Sequence, residues 1–155
     1  MKSQRALWRI LLLDTKLSNP NHYICLAIEN ALAADPRVES VHRVVLGQAI
    51  NVAKDKNCNL FFAFDGEELH TDICARLRQI CGCAILWVTE DPYELPVNLK
   101  HANLFDRVFT NDSASAAAYS GRAVHLPFAA SPWLHAHTVR EANDCRYDLL
   151  FVGTA

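Results

Sequence analysis

Short apolar runs alternate along this chain with segments whose apolar residues recur every three to four positions, and that alternation predicts a parallel α/β sheet. Strands are predicted at Ile10–Leu13, Val41–Leu46, Leu60–Phe64, Cys83–Val88, Arg107–Thr110 and Ala123–Leu126. Leu60–Phe64 is apolar throughout, as expected of a strand covered on both faces. Between the first two strands, Ile24, Ala27, Ile28, Ala31 and Leu32 follow the spacing of an amphipathic helix. Asn19 is its predicted cap, Pro20 its first residue and Asp35-Pro36 its stop. Ala49, Val52 and Ala53 mark a short second helix. Ile73, Leu77, Ile80 and Cys81 mark a third, which Gly82 closes as a left-handed C-cap. Asp112 or Ser113 caps a small helix that ends near Gly121.

The predicted fold is therefore α/β, a Rossmann-like doubly wound parallel sheet over residues 1–126. Residues 127–147, with Pro127, Pro132 and Trp133, read as an irregular connecting segment. A last strand, Asp148–Val152, runs into Gly153-Thr154-Ala155 and predicts the opening of a second domain. Exposed there without partner strands, Phe151 and Val152 predict self-association through that strand.

Composition narrows the class. With 51% apolar and 21% charged residues, the 155-residue chain is globular rather than disordered. A net charge of −2 and scattered basic residues exclude the basic patch that a nucleic-acid or anionic-membrane surface needs. Arg9 and Asp14 break the first apolar stretch before it reaches the length of a secretory leader or a membrane span. The six cysteines lie mostly inside apolar runs, and the expectation is reduced thiols in a cytoplasmic protein.

Ligands of open parallel sheets bind outside the carboxyl ends of the strands. Candidate residues are therefore those that follow strands: Asp14, Lys16, Ser18, Asn19 and His22; Asp65, Gly66, Glu67 and Glu68; Thr89 to Glu94; Asn111 and Asp112; and Pro127. Asp14 and Asp112 also suit helix capping, and Glu67 and Glu68 suit a first helical turn. Glu90-Asp91-Pro92 is the sharpest feature. Two adjacent carboxylates after a buried strand, fixed by a proline and followed by Tyr93, suit sugar hydroxyls or a proton acceptor. Neither a G-x-G-x-x-G nor a G-x-x-x-x-G-K-[ST] loop occurs, so the fingerprints for a dinucleotide cofactor or a nucleoside triphosphate are missing. Cys74, Cys81 and Cys83 lack a second paired half for zinc, and the His135, His137 and Cys145 set reads as incidental, so no metal is expected.

Several segments together resemble the N-terminal half of glycosyltransferases of the spore-maturation CgeB type. These are Leu86-Trp87 running into Glu90-Asp91-Pro92, then Leu104 to Asp112, then His125 to Pro132, then Asp148 to Thr154. The likeness spans roughly residues 85 to 155; the first 80 match only as a generic Rossmann half. The family pattern implies an acidic residue before Pro132, where this chain has Ser131. The resemblance implies a GT-B architecture, two Rossmann-like domains facing across a cleft, with no bound metal. This chain would be the acceptor-side domain, and the nucleotide-sugar donor would sit mostly on the second domain. In that frame Glu90 and Asp91 are the candidate catalytic residues, orienting or deprotonating an acceptor hydroxyl. Asn19, His22, Tyr93, Asn111 and Asp112 are candidates for substrate binding. The chain alone would not turn over.

A non-enzymatic reading stands beside it. Asp14, Asp65 and Thr89 follow strands one, three and four as the acidic pocket and hydroxyl of a phosphoacceptor receiver module do, but strand five lacks the lysine such a site uses. A plain ligand-binding α/β domain is the third possibility.

Overall fold

The computed structural model of the chain describes residues 7–14, 21–66, 69–136 and 141–144. Six strands form one parallel sheet: β1 (Trp8–Leu13), β2 (Val38–Val44), β3 (Leu60–Phe64), β4 (Ala84–Val88), β5 (Arg107–Thr110) and β6 (Ala123–His125). Their order across the sheet is β2-β1-β3-β4-β5-β6. The chain steps from β1 outward to β2, then crosses back over β1 and builds β3 to β6 on the other side. Right-handed crossovers running in two opposite directions must put their helices on opposite faces. This is the doubly wound fold that the alternation of apolar runs predicts.

Four α-helices make the first four crossovers, α1 (His22–Ala33), α2 (Leu46–Asp55), α3 (Thr71–Cys81) and α4 (Leu95–Ala102), and the 3₁₀ helix Ser115–Tyr119 makes the fifth. The pleat sorts the core into two layers. Leu11, Leu13, Phe61, Ala63, Leu86 and Val88 point to the face that carries α2, α3 and α4. Ile10, Leu12, Leu60, Phe62 and Phe64 point to the other, where Cys25 and Ile28 of α1 meet them. On this second face the sheet is thinly covered beyond β3. Trp87 and Ile85 are only half-buried there, and Val124 of β6 is 48% exposed.

β1, β4 and β6 shift by one or two residues at an end, and three larger differences from the sequence expectation stand out. β2 runs Val38–Val44 rather than 41–46, because Val45 is the extended cap residue and Leu46 already begins α2. The apolar run Val44-Val45-Leu46 hides that change of state. α1 begins at His22 with Asn21 as its cap position, so neither Asn19 nor Pro20 starts it; both lie outside the described residues. Residues 127–144 are not wholly irregular: Pro132–His135 form a one-turn helix, α5, and Ala142–Asp144 a 3₁₀ turn. The predicted strand Asp148–Val152 lies outside the described residues. Gly82 closes α3 as expected, with φ of 78° and its N–H donating to the Arg78 carbonyl at 2.8 Å.

α4 has no counterpart in the sequence expectation. Its inward face mixes Leu95 and Ala102 with the buried polar residues Asn98 and His101, while Leu99 is exposed, so the apolar periodicity that marks a helix is broken. Burial, then Lys100 and His70, hold the His101 imidazole below its ordinary value of 6.5; burial and then Lys56 do the same for His42. Imidazoles with lowered folded-state pKa values bind protons more readily in the unfolded chain. Stability is therefore expected to be intact above about pH 6.5, to fall as pH drops through that value, and to level off below the folded-state values. Urea unfolding midpoints at pH 7.5 and 5.5 measure this, and His101→Asn should flatten the dependence. Among the described residues, no helix is long and apolar enough to cross a membrane.

Candidate functional site

The residues that follow the strands gather along the carboxyl edge of the sheet. At the switch point between β1 and β3, Asp14 leaves β1 with its side chain nearly buried. Arg43 of β2 donates to its Oδ2, and His22 Nδ1 lies 3.1 Å from the same oxygen. Arg43 Nε also donates to Glu29 Oε2 at 2.6 Å. Burial opposes the Arg43 charge, but the hydrogen bonds to Glu29 and Asp14 outweigh it and raise its pKa. Asp14 and His22 are thus brought together in an ion-pair cluster that ties β1, β2 and α1.

Asp65, at the end of β3, turns the chain with a φ of 69° and accepts the Gly66 N–H on its own Oδ1 at 2.9 Å. An Asp tolerates this left-handed conformation because its short side chain can bond the local backbone. Thr89, after β4, is buried, and Asn21 Nδ2 donates to its Oγ1 at 3.4 Å. That contact holds the start of α1 against the end of β4.

The two adjacent carboxylates part company. Glu90 is exposed and lines a cavity. Asp91, 3% exposed, turns inward and accepts three hydrogen bonds: from Asn98 Nδ2 at 2.9 Å, Thr110 Oγ1 at 2.7 Å and Tyr119 Oη at 2.7 Å. The Asp91–Pro92 peptide is cis. Burial, then the hydrogen bond and charge of Asp91, push the Tyr119 phenol well above its ordinary value, so it stays a donor. With its lone pairs committed to α4, β5 and the 3₁₀ turn Ser115–Tyr119, Asp91 is an anchor for the edge of the sheet.

The remaining candidates separate. Tyr93 is 87% exposed and stands outside the cavity lining. Asn111 is half-buried and its Oδ1 has no partner among the described residues. Asp112 accepts the Ser115 N–H at 2.9 Å and its hydroxyl at 2.6 Å, and those bonds lower its pKa. This is the capping role open to it from the sequence.

The cavity itself, about 720 Å³, lies on the thinly covered face between α1 and residues 128–135. Ile24, Ala27, Ile28 and Ala31 form one wall, with Trp87 and Phe128 and the Pro132–His135 turn around it. The ring centroids of Trp87 and Phe128 are 6.2 Å apart. Sequence reasoning reads the α1 stripe as core, yet Ala31 is exposed and Ala27 only half-buried. Two alanines where a core helix would carry large residues leave the gap, and that is the signal the sequence held. Among the described residues, no group of three His, Cys, Asp or Glu is arranged to hold a metal ion. Burial raises the thiols of Cys58, Cys74, Cys81 and Cys83, with Cys74 pushed up to about 11 and Cys81 to about 12. His137 and Cys145 of the incidental metal set lie outside the described residues, as do Lys16, Ser18, Asn19, Glu67 and Glu68. Comparison with family models and with curated proteins returns no match.

Proposed function

We propose that this chain is the acceptor-side domain of a nucleotide-sugar-dependent glycosyltransferase of GT-B build. One observation carries the reading. Trp87 with Glu90 and residues 128–132, from two separate segments of the CgeB-like resemblance, line a single cavity on one face of the sheet, and Glu90, after β4, lies toward its carboxyl edge. Doubly wound sheets bind ligands at that edge. On this reading Glu90 accepts the hydrogen bond of an acceptor hydroxyl and takes its proton as the oxygen attacks the anomeric carbon. The bond from that carbon to the nucleotide diphosphate breaks as the new glycosidic bond forms. Asp91 is a positioning residue that holds the Glu90 turn, and the donor belongs to a second domain.

The native gene product, isolated from its source cells, is expected to contain a further domain of about 100–150 residues. It is also expected to transfer radiolabelled sugar from a nucleotide donor. Intact mass without that domain, together with no transfer from any nucleotide sugar, would overturn the proposal. The receiver-like alternative is less favoured, because Arg43 and His22 already occupy Asp14. A small phosphodonor that adds a phosphoryl group, lost on Asp65→Asn, would restore it.

A further inference from the structure

We infer that the cavity takes a neutral alcohol with a flat apolar ring body, its hydroxyl directed at Glu90. As the identity of an acceptor this rests on the transferase reading; as a binding preference of the cavity it does not. At about 720 Å³ the space falls within the range of small-molecule sites, roughly 300–1,000 Å³. Its lining is chiefly apolar, with Ile24, Ala27, Ile28 and Ala31 on one side and Trp87 with Phe128 on another. Phe128 and Tyr23 are each 50% exposed and Trp133 64%. Scattered exposed aromatics are ordinary, but three at one opening mark a site that expects an apolar occupant.

The polar groups narrow the occupant further. Glu90 is the one carboxylate in the described lining, and no lysine or arginine stands there to receive a phosphate or carboxylate. Among the described lining residues an anionic ligand would meet Glu90 with no lysine or arginine to offset it, and His135 accepts the Ser131 N–H on its Nδ1, whereas a neutral hydroxyl can donate to Glu90. Flat rings match aromatic walls through offset or edge contacts.

The test is calorimetric titration of the 155-residue chain with 2-naphthol, naphthalene-2-sulfonate and glucose. One-to-one binding of 2-naphthol is expected with a Kd of about 0.1–1 mM, suited to a ligand of its size. The sulfonate, with the same ring, should bind at least ~10-fold more weakly, and Glu90→Gln should narrow that gap. Glucose should give no isotherm. Ala31→Trp, at an exposed position on the cavity wall, should abolish naphthol binding while leaving the unfolding temperature near that of the parent. The inference fails if 2-naphthol does not bind, if the sulfonate binds equally well, or if Ala31→Trp folds and binds like the parent. Sugar transfer to 2-naphthol by the native gene product is read separately. Binding without transfer removes the acceptor role and leaves the cavity preference standing.

Discussion

Replacing Asp91 with alanine is expected to lower the unfolding temperature by about 10–15 °C, from a loss of roughly 3–5 kcal/mol. The substitution strands three buried donors at once, on Asn98, Thr110 and Tyr119. A buried donor left unmet costs its full desolvation, and bonds to a carboxylate are stronger than neutral ones. Asp91→Asn should be milder, since its oxygen still receives Asn98 and its amide can donate to a hydroxyl that rotates. Removing the partners singly, as Thr110→Val or Tyr119→Phe, should cost about 1–2 kcal/mol each. Glu90→Gln, at an exposed position, should stay within about 0.5 kcal/mol of the parent. Thermal unfolding followed by far-ultraviolet circular dichroism separates these cases. An Asp91→Ala chain as stable as the parent would show that the carboxylate is not the anchor and would return it to the list of catalytic candidates.

That contrast also marks how far the sequence can be read. The carboxyl pair was legible as a feature, because acids that follow a buried strand lie at the ligand-binding edge. Its division of labour was not. Neighbouring residues in a turn point different ways, and only the arrival of Asn98, Thr110 and Tyr119 decides which one faces inward. Those partners come from three later elements, so no local pattern around residue 91 could announce them. The strands show the opposite case. Leu60–Phe64 and Arg107–Thr110 could be read to the residue, because continuous burial forces continuous apolarity in β3 and polar turns bound β5. α4 was hard to see because two of its buried positions carry Asn98 and His101, and Asn98 serves the Asp91 carboxylate rather than the apolar core. The cavity was hidden by ambiguity, since Ile24, Ala27, Ile28 and Ala31 form the same periodic stripe whether they meet a sheet or line a space.

Gly66 offers a second measurement on the Asp91 anchor, and its outcome does not depend on touching the carboxylate. In sequence it is one of the candidates that follow β3, and its φ is not left-handed, so backbone freedom is not what the position requires. The requirement is space. A Cβ on Gly66 would collide with Asn98 Oδ1 and approach its Cγ to 3.2 Å. Asn98 is fully buried and its amide is committed to Asp91, so it cannot swing aside without giving up that bond. Gly66→Ala is therefore expected to cost about 2–3 kcal/mol, or roughly 5–10 °C, as overpacking plus a weakened hydrogen bond. Asn98→Ala alone should cost a similar amount through the partner it takes from Asp91. Combined, the two should fall short of their sum by about 1–2 kcal/mol, because the truncated side chain leaves the new methyl nothing to strike. A double-mutant cycle of urea unfolding free energies measures that coupling. Strict additivity would mean that Gly66 is required by its backbone after all, and that the anchor tolerates the displacement of Asn98.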